Sequence, residues 1–194
     1  MKNTAKIGVP ACLVGQFLVA MPQMPDPRFA RTVIYICAHT GDGAMGLVVN
    51  RLFDGIAFPD LLAQLKIELD QPAGGSLRVH YGGPVESGRG FVLHSADYMR
   101  EGSMQVADGV VLTATVDVLR AVAEGTGPKQ ALLALGYAGW GPGQLDEEMQ
   151  ANGWLNVPAD SSILFDADMD SKWDRALAQL GIDLSMLSVD VGHA

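Results

Sequence analysis

Charge is sparse in this chain and cysteine nearly absent. Charged residues make up 18% of the 194 residues, and the only cysteines are Cys12 and Cys37. Two thiols cannot build a disulfide framework or a four-cysteine zinc site. Long apolar runs are missing as well: no stretch reaches the ~20 residues that a membrane-spanning helix needs. No internal repeat and no low-complexity tract is present, which excludes a solenoid. The chain has 48% hydrophobic residues and a mean hydropathy of +0.18, values that exclude a disordered chain. The remaining class is an acidic globular domain.

Basic residues are the scarcer sign. Thirteen Lys and Arg stand against 22 Asp and Glu, for a net charge of −9. The imbalance is local: residues 144–194 hold ten acids and two bases, Lys172 and Arg175, so the last quarter carries −8. Nucleic-acid binding rests on clustered Lys and Arg that neutralise phosphates. Here the bases are scattered singly, although a fold could gather Arg28, Arg31, Arg51 and Arg89. Direct nucleic-acid binding is therefore not expected. At the N-terminus, Lys2 and Lys6 precede an apolar stretch, but Gly8, Pro10, Gly15 and Gln16 interrupt it and no small-x-small site follows. This pattern is a leader over residues 1–14 feeding a first strand, rather than a signal peptide. It implies no membrane anchor, a cytoplasmic location and two reduced thiols.

The periodicities predict strands over Phe17–Met21, Thr32–His39, Met45–Asn50, Leu77–Tyr81, Gly90–His94, Met104–Val106, Val110–Thr113, Trp154–Val157 and Ser162–Phe165. Helices are predicted over Asp60–Leu69, Thr115–Glu124, Pro128–Leu135, Gln144–Ala151 and Ser171–Leu180. Strands and helices alternate without a steady βαβ rhythm, so the class is α+β. Residues 15–194 form one domain, with Pro72-Ala73-Gly74-Gly75 the one place where two lobes could part.

Motifs carrying chemistry are few. Gly41-x-Gly43-x-x-Gly46 has the dinucleotide spacing, but Leu47-Val48-Val49 continues as strand where that fingerprint needs a helix. Asp166-x-Asp168-x-Asp170 opens like a calcium loop, but Ser171 and Leu177 stand where glycine and glutamate are required. No histidine has a ligand partner at short spacing. The sequence therefore supplies neither a metal site nor a cofactor site. A hydrolase would draw on His94, Ser95 and an acid such as Glu147. Yet neighbouring strand residues face opposite ways, and no GxSxG elbow is present. Cys37, mid-strand, reads as a small buried hydrophobe.

Several stretches, taken together, resemble the AlgH/YqgE family of bacterial proteins. They are Phe17-Leu18-Val19-Ala20-Met21-Pro22, Asp26 to Tyr35 (DPRFARTVIY), and Gly43 to Arg51 (GAMGLVVNR). Collinear with these are Tyr81-Gly82-Gly83-Pro84-Val85, Gly90 to Ser95 (GFVLHS), and Gly136 to Leu145 (GYAGWGPGQL), followed by Glu147, Asn152 and Trp154. Leu52 departs from the proline that the family often carries after the Asn-Arg pair. The resemblance implies a bent mixed sheet folded into a pseudo-barrel with flanking helices. It implies no established activity, catalytic residue or cofactor. One member's name is tied to alginate regulation, and relatives are often labelled transcriptional regulators. The expected function is thus that of a regulatory or interaction protein working through a protein partner; an enzyme and a nucleic-acid regulator are the alternatives. The sequence does not identify a small-molecule ligand. The expected working surface comprises Asp26, Arg28, Arg31, Asn50, Arg51, Tyr81, Gly82, Gly83, Pro84 and His94, with Trp140, Gly141, Gly143 and Gln144 on a glycine loop.

Overall fold

Alternation settles the first three strands. The computed structural model describes residues 12–69 and 76–181; most of the leader, the Pro72–Gly75 break and His193 lie outside them. Strands β1 (Gln16–Ala20), β2 (Val33–Thr40) and β3 (Gly43–Val48) pair antiparallel in sequence order. Phe17, Val19, Val33, Tyr35, Cys37 and Leu47 point into one core. Leu18, Ala20, Ile34, Ile36, Ala44 and Val48 point into another. Burial on both faces is why these strands read as unbroken apolar runs.

Helix α1 (Phe58–Gln64) is shorter than its leucines suggest. Leu62 is buried, but Leu65 is 42% exposed, and Lys66 turns the chain at φ 54° so that Ile67 reaches the core. Next come β4 (Val79–Tyr81), β5 (Val85–Ser95), β6 (Ser103–Ala107), β7 (Val110–Thr113) and α2 (Asp117–Ala123). The segment predicted as a helix over Pro128–Leu135 is instead the start of β8 (Ala131–Trp140). Its Leu and Ala content favours helix locally. However, pairing with β4 and β5 on its two sides, with Leu132, Leu133 and Ala134 buried on both faces, overrides that preference. The predicted glycine loop is therefore strand as far as Trp140. After α3 (Gln144–Gln150) and β9 (Trp154–Pro158), the predicted strand Ser162–Phe165 is instead helix α4 (Ser161–Leu164). The Asp160 carboxylate accepts from Ser162 N at 2.7 Å and starts that helix. Helix α5 (Lys172–Ala178) closes the described chain.

The strands form one sheet in the order β6-β7-β5-β8-β3-β2-β1-β9, with β4 added parallel to β8. Strand β8 belongs to both halves: Ala131–Leu135 pair with β5, and Ala138–Trp140 pair with β3. The passage between halves falls at Gly136, whose φ is +72°. A Cβ there would lie 2.4 Å from Gly83 O, so only glycine fits. Opposite Gly136, β5 bulges outward over residues 86–89 before pairing resumes at Gly90. The curled sheet holds side chains from both halves on its concave side, together with Ile163, Leu164, Trp173 and Leu177 of α4 and α5. Helices α1 and α2 cover the outside of one half, and α3 covers the other. This is the expected α+β half-barrel.

Candidate functional site

The prolines between β1 and β2 end regular structure and leave a loop whose backbone must find partners elsewhere. Asp26 starts it: its backbone oxygen accepts from Phe29 N and Ala30 N, and its carboxylate from Arg28 N. The Asn50-Arg51 pair following β3 does the rest. Asn50 accepts from Val33 N at 2.8 Å and donates to Arg31 O at 2.9 Å. The Arg51 guanidinium donates to Arg28 O and Ala30 O, each at 2.7 Å, and reaches Pro27 O as well. Four carbonyls of the loop are thereby tied to two adjacent side chains. Arg31 takes a left-handed φ of 54° within this frame.

Two arginines project from the pinned loop. Arg28 grips Asp26 through Nε and Nη2, the shortest contact being 2.7 Å. That fork holds the Asp26 carboxyl below its ordinary pKa and raises Arg28, with a smaller contribution from Tyr81. Arg31 lies 4.1 Å above the Trp173 ring and 3.4 Å from Asp174. Both side chains remain about 60% exposed. Tyr81 adjoins them, its N–H donating to Arg51 O. Asp26, Arg28, Arg31, Asn50, Arg51 and Tyr81 therefore form one face.

Trp140 and Gln144 reach that face through an aromatic ladder. Phe29 meets Trp154 edge-on at 5.7 Å, and Trp154 meets Trp140 edge-on at 6.0 Å. Both indole N–H groups donate to a single oxygen of Glu148, at 2.9 and 2.8 Å. Gln144 donates to the other Glu148 oxygen and accepts from Gly141 N. Gly143, at φ +73°, sits just before α3. Trp140 is buried, so the ladder supports the face from beneath.

The remaining predicted residues lie elsewhere. Gly82 and Gly83 are buried where β3 and β8 approach; Val48 N donates to Gly82 O, and Gly82 N donates to Leu135 O. Pro84 is exposed beside them. His94 is fully buried in β5, with Nε2 bonded to the Thr113 hydroxyl and Nδ1 to Ser95 O. Burial lowers its pKa. Ser95 Oγ bonds the Asp97 carboxylate and accepts from Gln130 N, with no link to the His94 ring. Glu147 is exposed on α3, which packs on β3 and β9, away from β5. The hydrolase constellation is thus not assembled. Asp166 pairs with Arg175, and Asp168 receives Ser171 N, so this acidic run is a helix-entry turn. Cys37 is buried in β2, its thiol pushed up to about 12 by burial.

Two residues escaped the sequence. Glu148 is one. The second is Lys172, fully buried, whose Nζ donates to Val49 O and Leu164 O. Burial pulls its pKa down to about 8. His80 is the structural hydrogen-bonding histidine that its place on a strand suggests: its Nδ1 bonds main-chain oxygens of Arg78 and Leu133, while Nε2 is buried without a partner among the described residues.

Known proteins share this architecture. A UPF0301 protein of Rhodospirillum rubrum is 55% identical, covering 94% of both chains. Another, from Afipia carboxidovorans, is 56% identical over 94% of this chain and 90% of its own. The solution structure of the AlgH protein from Pseudomonas aeruginosa superposes with a TM-score of 0.77 at 42% identity, covering both chains fully. The crystal structure of DIP2367 from Corynebacterium diphtheriae, 23% identical, shares the fold with a TM-score of 0.73 over 94% of this chain and 95% of its own. Residues 17–185 match the family described as AlgH-like, DUF179, and the chain belongs to that family.

Proposed function

We propose that the protein is a regulatory interaction domain that binds a protein partner through the Asp26–Arg31 loop and Tyr81. The observation that carries this reading is the double clamp: Asn50 and Arg51 fix four loop carbonyls and so hold Arg28 and Arg31 exposed in set directions. A surface ordered before binding loses less conformational entropy on association. Arginine is also enriched among residues that dominate interface energies. The ion pairs to Asp26 and Asp174 are solvent-exposed, so a partner's carboxylates exchange with them at little cost.

The test is affinity capture from native cells with nuclease present, using wild type, an Arg28→Ala/Arg31→Ala protein and an Arg100→Ala surface control. A protein retained by wild type and control but lost by the double variant supports the reading. Equal capture by all three overturns it. Circular dichroism checks that each variant is folded.

A further inference from the structure

The β5 bulge builds a second feature, apart from the arginine loop. Where residues 86–89 lift away over Gly136, the mouth of the half-barrel opens into a groove of about 490 Å³. Its size falls in the range of small-molecule sites. Its walls come from four strands, so the shape is fixed by the sheet rather than by a flexible loop. Phe91 and Tyr137 meet edge-on at 5.8 Å on one side, and the Tyr137 ring lies against exposed Gly139.

The polar groups of the groove are few and opposed. Arg89 enters from the bulge, its guanidinium 5.1 Å from the Phe91 ring centroid. Its protein partner among the described residues is Glu86, at 3.4 Å and half-exposed on both sides, which leaves most of its N–H groups free. Glu86 itself sits at φ 47°, a left-handed conformation uncommon for a side chain of this kind. At the far end lies Asp42, on the β2–β3 turn next to Gly43. The register sets them apart: Gly90, next to Arg89, pairs with Leu135, and Ala44, two residues from Asp42, pairs with Trp140, five residues further along β8.

We propose that this groove is a binding site for a small aromatic carboxylate, held by its anion at Arg89 and by its ring against Phe91 and Tyr137. An aromatic ring matches walls that already pack edge-to-face. The guanidinium accepts a carboxylate in its planar fork. Asp42 repels the anion at the opposite end, so the ligand lies in one direction only. A neutral or cationic ring lacks the Arg89 contact.

The probe is 1-naphthoate, followed by tryptophan fluorescence and by amide NMR shifts, with 1-naphthamide as its neutral counterpart. Wild type binds naphthoate saturably, with the largest shifts at Met45 and Gly139. The exposed Arg89→Gln change leaves the fold intact and weakens naphthoate roughly fivefold or more. Naphthamide binds wild type more weakly than naphthoate and does not distinguish the variant. Asp42→Asn binds naphthoate at least as well as wild type. The proposal fails if naphthoate does not saturate by about 10 mM, an affinity of roughly 3 kcal/mol. It also fails if Arg89→Gln binds naphthoate equally, if naphthamide matches naphthoate, or if the shifts centre elsewhere.

Discussion

Glu148 serves two buried indoles with one oxygen and Gln144 with the other. Glu148→Ala leaves both indole N–H groups unpaired beneath the arginine loop, a loss of about 3 kcal/mol in urea unfolding. Glu148→Gln keeps an acceptor oxygen and loses less. The sequence pointed to Glu147 instead. Helical spacing identifies the right residue: Glu148 lies three positions after buried Leu145 and shares its face, whereas Glu147 points outward. His80 gives a second expectation. Burial is the main cause that lowers its pKa from 6.5 to about 4. Between those values the unfolded chain binds a proton that the folded chain refuses. Stability is therefore full above pH 6.5 and declines as pH falls toward 4, by on the order of 3 kcal/mol. Denaturant unfolding at pH 7 and pH 4.5 measures that slope. His80→Gln reduces the slope without abolishing it, because buried His94 shifts in the same direction. Lys172 carried no sequence signal, since burial of a lone polar residue is decided by elements distant in the chain.

Among the elements, β8 joins the two halves and was the one most misread. Its leucines and alanines fit a helix until the neighbours on both sides are known. The reverse error at Ser162–Phe165 has the same origin: four apolar-leaning residues are too few for periodicity to distinguish helix from strand. The β2–β3 hairpin was legible because a glycine turn separates two β-branched runs. Gly136 tests the account of β8. Gly136→Ala adds a Cβ against Gly83 O at a left-handed φ. The expected cost is on the order of 3 kcal/mol, from strain and overlap together. A thermal melt within two degrees or so of wild type would contradict the role given to this position.

For the molecule as a whole, the charge pattern raises the question of whether the arginines gather. Arg28, Arg31 and Arg51 do gather on one face. However, Asp26 and Asp174 sit among them, Arg51 is spent on carbonyls, and Arg89 stands apart on β5. Retention on duplex DNA at low salt is therefore expected to be negligible, and binding that weakens steeply with added salt would contradict this. The half-barrel itself was not readable from local pattern; it came from the family resemblance. The reason is the distance over which the sheet closes: Gln16 and Asn156 bond side chain to side chain 140 residues apart.

That closure has a consequence for biosynthesis. Strand β1 is made long before β9, yet one of its two edges belongs to that strand. At ~5–20 residues per second, the ribosome needs roughly ten seconds or more to supply the missing neighbour. Throughout that interval the nascent chain carries an apolar strand with an open hydrogen-bonding edge, a form that pairs readily with other chains. Slowing translation between β1 and β9 is therefore expected to raise this protein's demand on chaperones.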